Sequence, residues 1–147
     1  MHPLIPWVLA HFVLAAVVTW LARGYALKHR LLDQPGERRS HAVATPRGGG
    51  IAIVVAVVMG CVWLGIIWPG QRLFLSAYVA GLVLVAGIGW LDDHRPLTPW
   101  SRLAVQAVAG LILALGTYVS TQAWLPGIAA FVLVMVLVNV WNFMDGI

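Results

Sequence analysis

The sequence predicts an all-α fold, a polytopic membrane helix bundle of about five transmembrane helices with its N-terminus on the periplasmic side. Three observations carry this. Hydrophobic residues make up 61% of the chain and charged residues 10%, at a mean hydropathy of +0.90, far more apolar surface than 147 residues can bury in a water-soluble core. The apolar residues fall in five continuous runs rather than in strand-like alternation, and a helix satisfies its own backbone hydrogen bonds in lipid. Basic residues are distributed unevenly between the connecting loops, which sets orientation.

The five runs are Leu4 to Leu21, Ile51 to Trp68, Leu73 to Leu91, Leu103 to Tyr118 and Leu125 to Phe143. Most approach the roughly 20 residues needed to cross about 30 Å of hydrocarbon. The fourth is the shortest and has to begin near Trp100 to span. The first has no basic residue ahead of it and no small-residue cleavage site, so it reads as a retained span. Cys61, the single cysteine, reads as a packed thiol, and His11 as a partner for an adjacent helix. Ala77, Gly81, Gly87 and Gly89 favour close helix packing in the third run, and most of the eight tryptophans lie near span ends as interfacial anchors.

Six of the nine lysines and arginines, Arg23, Lys28, Arg30, Arg38, Arg39 and Arg47, lie between the first two runs. Arg95 and Arg102 flank the third connection, two crossings later, and Arg72 alone lies opposite. The positive-inside rule then places loops 23–50 and 92–102 and the chain end in the cytoplasm, within one membrane domain spanning 1–147. All five acidic residues, Asp33, Glu37, Asp92, Asp93 and Asp145, belong to those stretches. Chemistry is therefore expected at the inner surface of the membrane. A nucleic-acid partner is not, because the net charge of +4 is concentrated in loops that set topology. Transport is disfavoured as well, since polar groups cluster at one face instead of crossing the bilayer.

Three stretches carry candidate chemistry. In the first, Asp33 to Gly50, prolines and glycines break the helix, and Arg47 directly precedes Gly48, Gly49 and Gly50. Glycine amides can approach a phosphate closely, and a neighbouring guanidinium adds bidentate contacts. Topology alone accounts equally well for Arg38 and Arg39, while His41 can meet an anion as a donor. In the second, Asp92 and Asp93 end a long apolar run, where ionisable residues mark a binding path or simply the start of a wet loop. In the third, Asn139, Asn142 and Asp145 fall within roughly one third of a helix circumference, either facing a common polar partner or bonding a neighbouring helix.

Together the three stretches resemble the polyprenyl-phosphate N-acetylhexosamine-1-phosphate transferases, the superfamily that includes the WecA-type initiators of O-antigen and the phospho-N-acetylmuramoyl-pentapeptide translocase. The first motif is carried by Asp33, Pro35, Arg38, Arg39, His41, Pro46, Gly49 and Gly50. The second is carried by Asp92, Asp93, Leu97 and Gln106, and the third by Asn139, Asn142, Asp145 and Gly146. The resemblance covers the N-terminal half of such a transferase, so the chain reads as truncated. It implies transfer of a sugar-1-phosphate from a UDP-N-acetylhexosamine, a UDP-amino sugar, to undecaprenyl phosphate, with release of UMP, in lipopolysaccharide O-antigen or cell-wall glycan initiation. The setting it implies is the bacterial inner membrane, multi-pass, with the active face cytoplasmic.

Two anionic substrates facing three carboxylates call for a bridging cation, Mg²⁺ or alternatively Mn²⁺. Asp92, Asp93 and Asp145 are assigned to catalysis and metal binding. Arg38, His41, Arg47, Gly49, Gly50, Asn139 and Asn142 are assigned to substrate binding. A half-bundle with unpaired polar stripes is also expected to associate, for instance as a homo-oligomer. The competing reading is a catalytically inactive membrane fragment or a non-enzymatic membrane subunit.

Overall fold

The structure is a computed structural model in which residues 4–33 and 43–144 are described, the side chains of 141–144 excepted. Five helices follow one another: α1 (Leu4–Lys28), α2 (Ile51–Ile67), α3 (Arg72–His94), α4 (Pro99–Thr121) and α5 (Trp124–Met144). A two-residue ladder joins α1 to α2, with β1 (Leu32–Asp33) antiparallel to β2 (Thr45–Pro46) and Asp33 opposite Thr45. The all-α membrane bundle read from the sequence is the observed fold, and the chain is a multi-pass membrane protein. Among the described residues three helical stretches, Leu4–Lys28, Pro69–His94 and Pro99–Thr121, are long and apolar enough to cross a bilayer, whereas Ile51–Ile67 and Trp124–Val140 are apolar but shorter.

Each boundary has a local cause. α1 continues past its apolar run to Lys28, because Arg23, Ala26, Leu27 and Lys28 favour a helix as well as Leu21 does. It closes where Arg30 turns left-handed at φ 56° and the Leu31 amide donates to the Ala26 carbonyl at 2.9 Å. α2 ends at Trp68, because Pro69 has no amide to continue the ladder, and a 3-10 turn (Pro69–Gln71) runs directly into α3. α4 begins at Pro99, as the short fourth run required, and the Thr98 Oγ1 accepts from the Ser101 amide at 3.2 Å. Gln122, left-handed at φ 55°, ends α4, and Tyr118 stacks on Trp124 at 4.0 Å across the turn.

The packing is uneven along the chain. α3 on α4 and α4 on α5 are close seams, and α1 on α2 and α2 on α3 are sparser. Small residues explain the close seams: a methyl on Gly81 would lie 3.2 Å from the Ala109 carbonyl oxygen, and one on Gly127 3.0 Å from that of Ala114. At Gly116 a methyl would collide with Ala77. Gly87 and Gly89, expected to serve the same packing, have nothing within 4 Å of an added methyl. They face a groove between α2 and α3 instead.

No large side chain is fully buried among the described residues, and Phe12, Trp20 and Leu125 are each more than 70% exposed. That surface belongs against lipid. His11 bonds within its own helix, with Nδ1 against the Trp7 carbonyl at 2.9 Å, and not to a neighbour as expected. A helical imidazole can reach the carbonyl four residues back more readily than any group on α2. Its Nε2 faces Gly60.

Gly116→Val is expected to lower stability by about 1–3 kcal/mol through overpacking of the α3–α4 seam, and Gly89→Ala to leave it nearly unchanged. Thermal unfolding in detergent measures both. Equal melting of Gly116→Val and the parent would contradict the seam.

Candidate functional site at the α3 terminus

The last turn of α3 reaches three neighbouring parts of the bundle through polar side chains. Successive helical residues are rotated by about 100°, so Asp92 and Asp93 face different neighbours. Asp92 points toward α4, accepting from the Leu97 amide through Oδ1 at 2.7 Å and pairing with Arg102 Nη1 through Oδ2 at 3.0 Å. Both its oxygens are thus engaged in closing the short link from α3 to α4. Asp93 points the other way, with Oδ1 3.6 Å from Nη1 of Arg47.

Arg47 stands just after β2, where its amide donates to the Leu31 carbonyl at 2.9 Å. Its Nε donates to Asp33 Oδ1 at 3.2 Å, and its Nη2 donates to the same oxygen. One guanidinium therefore joins the α1–α2 connection to the end of α3. Gly48 follows with φ +86°, a conformation that favours glycine, and the chain then turns into α2. Among the described residues no hydrogen bond takes the amides of Gly49 and Gly50.

A third link reaches α1. His94 holds its Nδ1 2.8 Å from the Trp90 carbonyl, which places the proton on that nitrogen and leaves Nε2 to accept from the Tyr25 hydroxyl at 3.1 Å. The imidazole lies against the Trp90 indole with centroids 4.1 Å apart. Two cavities meet at this end. One, about 380 Å³, lies between α1 and α3 and is lined by Val18, Leu21, Tyr25, Arg47, Asp93 and His94 among others. The other, about 670 Å³, runs between α2 and α3 past Val54, Val55, Val58, Val83 and Ala86. Gly48, Ile51, Trp90 and Asp93 line both.

Of the residues selected from the sequence, the structure brings Arg47 and Asp93 together, with Asp92 adjacent but turned toward α4. Asn139 is placed elsewhere: its amide nitrogen donates to the buried Gln106 Oε1 at 2.9 Å and to the Met135 carbonyl at 2.7 Å, tying α5 to α4. Arg38, His41, Asp145 and the side chain of Asn142 lie outside the described residues. Sequence reasoning passed over Tyr25 and His94, whose only signal was a polar side chain at the basic end of a span. It read Arg102 as a topology residue alone. Among the described residues no three potential metal ligands form a group.

Residues 75–147, which contain α3 and its carboxylates, match the family described as glycosyl transferase family 4. This chain belongs to glycosyl transferase family 4. Within the family it is similar to the decaprenyl-phosphate N-acetylglucosaminephosphotransferase of Mycobacterium tuberculosis (strain CDC 1551 / Oshkosh), 32% identical over 90% of this chain and 39% of the relative. It is also similar to the undecaprenyl-phosphate alpha-N-acetylglucosaminyl 1-phosphate transferase of Yersinia pestis, 29% identical over 92% of this chain and 40% of the relative. The Escherichia coli (strain K12) transferase of the same description is 28% identical over 92% of this chain and 40% of its own length. The chain thus spans about two fifths of the length of these curated relatives. No solved structure matches it. The family assignment, to polyprenyl-phosphate hexosamine-1-phosphate transferases, agrees with the resemblance read from the three motifs.

Asp92→Ala removes the acceptor of both the Leu97 amide and Arg102, so it is expected to cost about 1–2 kcal/mol, and Arg102→Ala less. Thermal unfolding of the two variants in detergent tests this. An Asp92→Ala protein as stable as the parent would show that the α3–α4 link closes without it.

Proposed function

We propose that this chain takes part in transferring N-acetylhexosamine-1-phosphate from a UDP-sugar to undecaprenyl phosphate, with release of UMP. The observation that carries the reading is the Arg47–Asp93 juxtaposition at the meeting point of two cavities, in a chain of this family. In the reaction, an oxygen of the lipid phosphate attacks the sugar-bearing phosphorus of the UDP-sugar. A lipid diphosphate-sugar forms as the bond to the UMP oxygen breaks. A phosphate monoester, with a second pKa of about 6, is already largely ionised at neutral pH, so a general base adds little.

Arg47, with Arg38 and His41, neutralises phosphate charge. The amides of Gly49 and Gly50 offer donors to phosphate oxygens, and Asn142 orients substrate, while the Asn139 amide is engaged with Gln106 of α4. The carboxylate chemistry fits a hard cation such as Mg²⁺, with Mn²⁺ as the alternative, because Mg²⁺ is commonly held by one or two carboxylates together with substrate phosphates. Asp93 and Asp145 would hold it, with Asp92 beside them. When bound, such an ion offsets the charge that builds on the phosphoryl oxygens. Asp92, with both oxygens engaged in the described structure, also sets the angle at which α3 presents Asp93. By the positive-inside rule this end faces the cytoplasm of a bacterial inner membrane, where nucleotide sugars are available. O-antigen or another cell-envelope glycan is the product class.

Membranes containing the protein, supplied with undecaprenyl phosphate and UDP-N-acetylglucosamine, are expected to release UMP only when Mg²⁺ or Mn²⁺ is present. Asp93→Asn should lower the rate by about 100-fold or more, the scale seen when one preorganised electrostatic group at a reacting centre is lost. No UMP release from membranes holding the folded protein would overturn the reading. A partial return of activity for Asp92→Asn at raised Mg²⁺ would place Asp92 among the metal's ligands as well.

A further inference from the structure

We propose that Asp33 is a positioning residue, orienting Arg47 toward the phosphate of a lipid-borne substrate. The inference deepens the transfer reading above and rests on it. Asp33 is placed by the ladder opposite Thr45, and the Arg47 amide is fixed on Leu31, so carboxylate and guanidinium meet from the two sides of one turn. Arg47 gives its Nε and Nη2 edge to a single oxygen of Asp33. A guanidinium is a planar fork of five donors, so occupying that edge leaves Nη1 directed at the Asp93 side. Arg47 keeps a side-chain exposure of 37%, which leaves it accessible to an incoming anion. Freed of Asp33, a long side chain with that exposure would sample many rotamers, and ordering it again would oppose binding.

The walls decide which phosphate meets Arg47. Its cleft is otherwise lined mainly by hydrocarbon, including Val18, Leu21, Ala22 and Leu31. Next to it Gly48 and Asp93 open onto the valine-lined groove between α2 and α3. A nucleotide placed there would set its ribose hydroxyls and base amides against valine and leucine without partners, which is costly. A phosphate carried on an isoprenoid chain would match both the charge and the walls. The Asp33–Arg47 unit is thus assigned to the lipid substrate and not to the nucleotide sugar.

The test separates KM from kcat for each substrate in membranes containing the protein. Asp33→Asn is expected to raise KM for undecaprenyl phosphate about tenfold, the loss of one well-oriented charge-assisted hydrogen bond, with KM for the UDP-sugar within about twofold of the parent. Equal rises in both KM values, or none in either, would overturn the proposal, because a ladder that merely holds the loop has no reason to distinguish substrates. A lower lipid KM would also overturn it, since Asp33 would then be competing with the phosphate. Should Asp33→Asn fail to accumulate, Asp33→Glu is measured in the same way. It keeps the carboxylate one methylene away and is expected to raise only the lipid KM, by about two- to threefold, with the same overturning outcomes. Equilibrium binding of farnesyl phosphate to purified protein, weaker in either Asp33 variant than in the parent, reads the positioning role without turnover. A parent that binds farnesyl phosphate but releases no UMP would sink the transfer reading alone. A parent that turns over, with Asp33 variants that bind farnesyl phosphate undiminished, would sink the positioning role alone.

Discussion

The guanidinium of Arg47, held by Asp33 and facing Asp93, is the contact on which this end of the bundle depends. It joins a two-residue ladder, too short to be stable alone, to the last turn of a membrane helix. The groups are partly exposed, so each pair contributes on the order of 0.2–1 kcal/mol, and the value of the arrangement is geometric more than energetic. From the same turn Asp92 reaches α4 and His94 reaches α1. Three neighbours are thereby oriented by three consecutive side chains, because a helix distributes successive residues around its axis.

The bilayer explains why the described ion pairs lie there. Within hydrocarbon a charge is costly, so helices associate through small residues and a few neutral hydrogen bonds. Ala77, Gly81, Gly110, Gly116 and Gly127 supply close approach along α3, α4 and α5, and Gln106 with Asn139 supplies an amide pair. α1 and α2 lack that continuous small-residue seam with α3. Between α2 and α3 the volume stays open, because Gly87 and Gly89 put no side chain into it and nothing on α2 comes within 4 Å of where one would stand.

Much of this was legible in the sequence because lipid imposes a simple rule on composition. Five apolar runs became five helices, and the fourth began at Pro99 because a shorter run could not have spanned. The basic loop, Arg47 and the paired aspartates were visible as charges at run ends. Their partners were not, since only folding sets Arg47 on Asp33, fourteen positions away, and Asp92 on Arg102. The divergence of Asp92 and Asp93 depends on which helices flank α3, which adjacency in sequence does not reveal. Asn139 was open to packing or to substrate contact, and its bond to Gln106, thirty-three positions earlier, was not visible from either residue alone. Tyr25 and His94 resembled ordinary interfacial residues, and their pairing is a property of the assembled bundle.

The early stop of α2 has a consequence for the surrounding lipid. Its 17 residues span about 25 Å, against about 30 Å of hydrocarbon in an average bilayer. Arg72 does not extend outward to make up the difference, because its Nε folds back onto the Gly65 carbonyl at 2.8 Å. Thinning of the lipid beside this helix is one way such a hydrophobic mismatch is met. Any such thinning lies beside the wall that α2 contributes to the valine-lined groove, so the lipid next to that groove differs in thickness from the lipid around the rest of the bundle.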